Sequence, residues 1–344
     1  MTAPEQSLAV AVVFPGQGAQ RPGMGRDFHA QFAVSRDAYA EASDALGLDV
    51  ARVCFDDDPR LDDTEFTQPC IVATEIAMFR ALREELGLRS AYFGGHSLGE
   101  YSALCAAGAM SLFDAVRLTR RRGALMQAAV AKGEGAMLAV IAAGIGNRDL
   151  ATDLSSLNVD VANLNSPDQV VISGRAAAVR EATALLERML DGEHRLVPLN
   201  VSAPFHSRLM RGIEPEFRAA LDGVSGAMRP DAASTCTSNV TGRFHEPSTE
   251  SVVNLLTRQI SSPVDWIANM NEIGAVAGRI YEIGPGKPLT GFFQCIGRTA
   301  VPILSVKQAH RALAAAAAAQ EVRVRCAGDQ PQRETGQTGR IVAI

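Results

Sequence analysis

The sequence predicts an α/β protein, a large domain built on a parallel sheet with a small ferredoxin-like domain inserted into it. Three observations predict this. The run Leu8-Ala9-Val10-Ala11-Val12-Val13-Phe14 is apolar at every position and stops at Pro15-Gly16-Gln17-Gly18, as a strand buried on both faces of a parallel sheet does. The pentapeptide Gly95-His96-Ser97-Leu98-Gly99 stands between a strand-like Ala91-Tyr92-Phe93-Gly94 and the helix formers of 100–107. Over about 134–202 the elements run strand, helix, strand, strand, helix, strand, the order of a split βαβ unit.

The elements follow in order. Helices are expected at about 28–47 and 68–86, the second capped by Thr67 with Pro69 at an early helical position. A further helix spans Asp114 to Val130 and carries Arg117, Arg120, Arg121 and Arg122. Gly133 to Met137 opens a strand at 138–141, followed by a helical stretch, strands at about 159–163 and 169–174, a helix at about 176–191 and a strand at 195–200. Strands at 234–238, 279–283 and 301–305 return the chain to the large domain. The expected division is therefore 1–133 with 203–306 for the large domain, 134–202 for the small one and 307–344 for a tail. In that tail Ala312 to Ala319 is a helix former, and the polar chain from about 325 is expected to be mobile or a linker.

Composition narrows the function classes. A chain of 344 residues, 47% hydrophobic, can bury a large core, and its net charge of −5 excludes a general nucleic-acid binder. Six cysteines are scattered without a C-x-x-C pair, which points to a cytoplasmic protein without disulfides or zinc. No secretory signal and no apolar stretch of about 20 residues is present, so neither export nor a membrane span is expected.

G-x-S-x-G places a serine on a tight strand-to-helix turn with its hydroxyl exposed at a helix N-terminus, so Ser97 is read as a covalent nucleophile. A serine needs a base. Of the six histidines, His29 and His310 fall in exposed helical stretches, and His194 and His245 fall in polar turns or loops, where a solvated role is expected. His96 adjoins the nucleophile but points away from it. His206, in Ala203-Pro204-Phe205-His206-Ser207, stands where the chain re-enters the large domain, and the residues alone leave its role as base open. No acid stands out as an orienting third member; Asp265 fits better as the cap of a helix starting near Trp266. The backbone N–H of Leu98 is a natural oxyanion donor, and the Pro15 to Gln20 loop is either a second donor or a plain turn.

Taken together these segments resemble the malonyl-CoA:acyl-carrier-protein transacylase family, including the acyltransferases of polyketide assembly lines. The matching segments are Phe14 to Gln20, Gly95 to Leu104, Arg122-Gly123 with Met126-Gln127, Asn163 to Pro167 with Gln169 to Gly174, Phe205-His206-Ser207, Gln259 to Trp266 and Glu282 to Gly291. They run in order over about residues 8–305. The resemblance implies an α/β-hydrolase-like large domain and a cleft between it and the ferredoxin-like insert. It implies that Ser97 takes an acyl group from acyl-CoA and passes it to the phosphopantetheine thiol of an acyl carrier protein, with His206 as base. It further implies a backbone carbonyl near Gln259 as the partner of His206, and Gln17 beside Leu98 at the oxyanion. Arg122 matches the arginine that grips the free carboxylate of malonyl, as a guanidinium can with two parallel hydrogen bonds. Phe205 resembles the ring that disfavours a 2-methyl group, and His96, Met126 and Asn165 complete the substrate site. The implied enzyme is a monomer needing no metal and no bound cofactor, CoA being part of the substrate. Arg208 and Lys287 are expected at the carrier-facing mouth. The alternatives, an editing hydrolase, a carrier-to-carrier acyltransferase or a non-catalytic carrier-binding scaffold, have less use for a carboxylate clamp or for an intact nucleophile and base.

Overall fold

The computed structural model describes residues 9–201 and 203–328, with side chains to 319. Two mixed layers of α-helices and β-sheet make up the α/β architecture. Strands β1 (Val10–Phe14), β2 (Tyr92–Gly95), β8 (Arg279–Ile283) and β9 (Ala300–Ile303) form a parallel sheet in the order β2-β1-β8-β9. Strands β3 (Gly135–Ala142), β4 (Asp160–Ser166), β5 (Gln169–Arg175), β6 (His194–Pro198) and β7 (Val264–Asp265) form a second sheet in the order β6-β3-β5-β4-β7.

The apolar run of β1 has a physical reason. Val12 and Phe14 join the core beneath the helices Ala33–Leu46, Thr64–Glu84 and Leu112–Ala128, while Ala11 and Val13 join a separate core with Trp266, Met270 and Phe293 on the opposite face. Side chains alternate across a strand, so a central strand covered on both faces needs apolar residues everywhere. The second sheet uses alternation differently. Leu138, Val140, Val170 and Ile172 pack under the helix Ala176–Met189, whereas Met137, Ala139 and Val171 face the large core and the cleft.

Several expected elements are placed differently. The stretch expected as one helix at 28–47 is two, Arg26–Gln31 and Ala33–Leu46, broken at an extended Phe32. The helix expected at about 68–86 with Thr67 as its cap begins at Thr64 with Asp63 as its N-cap residue, and the N–H groups of Phe66 and Thr67 donate to the Asp63 carbonyl. Thr67 is therefore inside the helix, its hydroxyl donating to the Leu61 and Asp63 carbonyls, and Pro69 lies inside it too. The strand expected at 234–238 makes only two isolated bridges, Phe93 to Cys236 and Thr237 to Phe244. The tail expected to loosen at 325 stays helical through Gly328 within Val306–Gly328, and the rest of it lies outside the described residues.

One connection was not foreseen. The two-residue β7 comes from the chain after 203 yet pairs in parallel with β4, Asn163 opposite Val264 and Leu164 opposite Asp265. It adds a strand from the later part of the chain to the second sheet, next to Asn163 and Asn165. Register shifts in β4 flank these residues, and both asparagines reach the cavity.

Candidate active site

Ser97 ends the turn after β2 with φ 51°, a left-handed conformation that a non-glycine residue adopts only when its surroundings hold it there. The flanking glycines make the turn possible. A Cβ at Gly95 would lie 2.0 Å from the Gly99 carbonyl carbon, and one at Gly99 would lie 2.2 Å from the Phe14 oxygen. Two amides hold the strained residue. Asn239 Oδ1 accepts from the Ser97 N–H at 2.6 Å, and Gln259 Nε2 donates to the Ser97 carbonyl at 3.0 Å.

His206, also left-handed with φ 56°, brings Nε2 to 2.7 Å from Ser97 Oγ. Its Nδ1 lies 2.9 Å from the Gln259 carbonyl oxygen. A carbonyl can only accept, so Nδ1 carries the hydrogen and Nε2 is left as the acceptor that a base must be. No carboxylate is needed to fix the tautomer. Burial, reinforced by the Arg122 charge, lowers the His206 pKa to about 3, so the ring is neutral across the ordinary pH range. His96 is likewise lowered by burial, to about 4; its Nε2 meets Asn165 Oδ1 at 2.8 Å and its ring lies against Trp266 and Phe292.

These shifts carry a stability prediction. Unfolded histidines titrate near about 6.5, so below that pH the unfolded chain binds protons that the folded one refuses. Stability is then full above pH 6.5 and falls as the pH drops through the window down to the folded values. His206 alone is expected to cost about 2 kcal/mol between pH 7.5 and 5, with His96 adding in the same direction. Burial raises the pKa of Glu75 and Glu282, which shifts stability the opposite way as the pH falls, so the check is denaturant unfolding at the two pH values in the parent and in His206→Ala. A difference between them that does not change with pH would mean that the ring titrates normally in the folded protein.

Arg122 projects from the helix Leu112–Ala128 and is 2% exposed. Nη1 donates to Gln68 Oε1, and Nη2 donates to Gln259 Oε1 and to Ser97 Oγ, each at 3.0 Å. Among the described residues its Nε has no hydrogen-bond partner of ordinary geometry, and the guanidinium lies 5.6 Å from the Tyr101 ring centroid. No carboxylate pairs with it among the described residues, and burial pulls its pKa below the usual guanidinium value. Its neighbours on the same helix are spent elsewhere: Arg120 on Glu65, Arg121 on Glu216, and Arg117 over Phe113.

A cavity of about 360 Å³ opens over these groups. It brings together Gln17, His96, Ser97, Arg122, Met126, Asn165, Phe205 and His206. Gln259 sits behind it and Leu98 is buried at the turn. The backbone N–H groups of Gln17 and Leu98 have no acceptor among the described residues, which leaves two donors next to the nucleophile turn. Gln17 is steadied through its side chain, Nε2 donating to Thr64 Oγ1. Phe205 forms part of the wall, 8% exposed, and Met126 Sδ accepts from Gln68 Nε2 at 3.8 Å.

The residues from 11 to 275 match the acyl transferase domain model. The chain belongs to the acyl transferase domain family. The malonyl CoA-acyl carrier protein transacylase of Bacillus subtilis strain 168 is 36% identical to it over 294 residues, 84% of this chain and 90% of the relative. The crystal structure of FabD from Acinetobacter baumannii superposes with a TM-score of 0.82 at 36% identity, covering 91% of this chain and 99% of that one. A second solved structure, a type II PKS acyl-carrier protein in complex with its malonyl-transacylase, gives 0.80 at 34% identity over 89% of this chain and 99% of that one.

Within this acyl transferase domain one sequence expectation fails. His245, expected on a solvated loop, is fully buried and its Nε2 lies 2.9 Å from Glu100 Oε1. Arg208, expected to face a carrier, is exposed and paired with Asp160, its Nη2 and Nε donating to Oδ1 at 2.7 and 2.9 Å. His29 is partly buried against Tyr39 and Phe55, and His194 lies in β6, bonded to Glu187. Lys287 is exposed and Asp265 caps the helix Trp266–Val276, accepting from the Ala268 N–H. Gln68, Asn239, Glu100 and His245 were missed. Gln68 could have been found as the one amide on a helix that is buried over most of its length; the others carry no signal short of the fold.

Among the described residues no cluster of histidine, cysteine and acidic side chains could hold a metal, and no helix is long and apolar enough to cross a membrane.

Proposed function

We propose that this chain is an [acyl-carrier-protein] S-malonyltransferase, moving malonyl from malonyl-CoA to the phosphopantetheine thiol of an acyl carrier protein for fatty-acid or polyketide synthesis. The observation that carries the reading is Arg122, a buried cation 3.0 Å from the nucleophile, held by neutral amides and a hydroxyl rather than by a carboxylate. A buried charge so placed is costly unless an anion arrives to meet it. The family supports the same substrate, since its relatives include malonyl CoA-acyl carrier protein transacylases and one was solved with a polyketide carrier protein.

The chemistry runs in two halves. His206 Nε2 takes the Ser97 proton as Oγ attacks the thioester carbonyl carbon. The negative charge gathers on the carbonyl oxygen and is met by the Gln17 and Leu98 N–H groups. The C–S bond breaks, and the departing CoA sulfur takes the proton from His206. The carrier thiol then gives its proton to His206 and attacks the Ser97 ester, and the serine leaves with that proton. The malonyl carboxylate docks on Arg122, which orients the ester for the incoming thiol and disfavours water. Phe205 fills the space of a 2-methyl group, a discrimination worth about 1–3 kcal/mol. No bound cofactor enters the scheme.

Residues 1–133 with 203–306 make an α/β-hydrolase-like large domain, and 134–202 make a ferredoxin-like insert. The order β6-β3-β5-β4 with antiparallel pairing supports this division. The thiols of Cys54, Cys70, Cys105, Cys236 and Cys295 are all free, which supports a cytoplasmic setting.

The test is intact-protein mass spectrometry after brief exposure to an equimolar mixture of malonyl-, methylmalonyl- and acetyl-CoA. A malonyl ester on Ser97 as the dominant adduct is the expected result. A dominant acetyl adduct, or none, would transfer the site to an editing hydrolase or a carrier-to-carrier acyltransferase.

A further inference from the structure

We infer that Glu100, held by His245, is a positioning residue of this site, balancing the charge of Arg122 at one remove through Gln259. The inference rests on the acyltransfer reading above and extends it to two residues outside the cavity. Glu100 is the first acidic residue of the helix that follows the nucleophile, Gly99–Ala107, and it is fully buried. Its Oε1 accepts from His245 Nε2 at 2.9 Å, and its Oε2 accepts from Gln259 Nε2 at 2.7 Å and from the Asn239 N–H at 3.0 Å. His245 is fully buried as well, and among the described residues its Nδ1 has no hydrogen-bond partner and its Nε2 meets Glu100.

The consequence lies in Gln259. A side-chain amide has a donor end and an acceptor end, and a carboxylate can only accept. Glu100 Oε2 therefore fixes the Nε2 end toward itself and the Ser97 carbonyl, which leaves Oε1 turned to Arg122 Nη2 at 3.0 Å. A carboxylate in direct contact with Arg122 would occupy the donors that the substrate needs. Glu100 instead supplies negative charge through an intervening amide, and the guanidinium keeps its site-facing donors. Burial lowers the Arg122 pKa, and the Glu100 charge works against that loss. The same carboxylate also holds Asn239, whose Oδ1 takes the Ser97 N–H.

Two variants test it. Glu100→Gln keeps the volume, and its carbonyl end accepts from Gln259 and Asn239 while its NH₂ end meets His245 in the other tautomer; what it removes is the charge. His245→Leu strips Glu100 Oε1 of its side-chain donor and so loosens the carboxylate that orients Gln259 toward Arg122. Single-turnover loading of Ser97 from malonyl-CoA and from acetyl-CoA, read by intact mass beside thermal unfolding, gives the measurement. Loading from malonyl-CoA is expected to fall about 10-fold or more in both variants, with loading from acetyl-CoA within about 3-fold of the parent. A structural role alone would lower both loadings together and leave their ratio unchanged. An unchanged ratio, or loss of the fold in both variants, overturns the assignment. Absence of malonyl loading in the parent protein is a separate result and overturns the acyltransfer reading instead.

Discussion

Replacing Ser97 with alanine is expected to lower malonyl transfer to a carrier protein by on the order of 10⁴-fold or more, and His206→Ala to cost nearly as much. The reason is that neither residue does its part alone. Oγ, 2.7 Å from Nε2, is a nucleophile only as its proton leaves, and the imidazole has nothing to deprotonate once the hydroxyl is gone. Residues that act as a unit lose their contribution together, so the Ser97→Ala/His206→Ala double variant should be no slower than the worse single one. Stability should hardly change in Ser97→Ala, because the turn is clamped through the backbone of residue 97 by Asn239 and Gln259, not through its hydroxyl. Steady-state transfer rates for the three variants, with unfolding curves, decide the matter. Losses that multiplied in the double variant would show that the two side chains serve different steps.

The parts of this site that were legible in the sequence are those whose chemistry is dictated by neighbours in the chain. The turn at Ser97 is one. Glycine at 95 and at 99 is required because each backbone is approached to within a bond length or two of contact, and that crowding is local to five residues and the strand beneath them. The continuous apolar runs of β1 and of β3 are another, since a strand covered on both faces must be apolar throughout. The helix of Arg122 was legible as a helix. That Arg122 and not Arg120 or Arg121 turns inward depends on the rotation of that helix against Thr64–Glu84, which the resemblance supplied and the residues did not.

What escaped was set by contacts between distant segments. His245 follows a stretch that reads as strand, in a loop rich in polar residues, and nothing local says that Glu100, 145 positions earlier, is waiting in the core for its Nε2. The strand expected at 234–238 failed for a related reason: the segment meets β2 only at Phe93 and the chain at 243–245 on its other side, and its Thr237 hydroxyl and Ser238 carbonyl bond Asn269 instead of extending a ladder. The missing acid was real as a sequence observation, and its resolution is a carbonyl: Gln259 O accepts from Nδ1–H and fixes the tautomer, without placing a carboxylate beside Arg122.

Arg122→Ala is expected to reverse the acyl preference rather than to abolish acylation. Truncating one member of a buried, hydrogen-bonded charge pair costs about 2–5 kcal/mol, which corresponds to a loss of malonyl loading of roughly 30- to several thousand-fold. Acetyl has no carboxylate to lose, and Ser97, His206 and the two free N–H groups remain, so acetyl loading should stay within about an order of magnitude of the parent. The malonyl ester that does form should also be less well held, so hydrolysis should take a larger share from the carrier thiol. Arg122→Lys is expected to fall between the two, because an ammonium restores charge but not two parallel donors. Stability should not drop in proportion, since the variant also removes a buried cation that no carboxylate contacts. The change has a signature that a simple packing defect lacks. The Arg122 charge is the second cause, after burial, that depresses the His206 pKa, so its removal should raise that pKa and move the acid limb of acetyl loading to higher pH. Loading measured from both thioesters across pH 4 to 8 in parent and variant checks all of this together. Malonyl loading unchanged by Arg122→Ala would remove the carboxylate clamp from the mechanism, whatever became of the serine and its base.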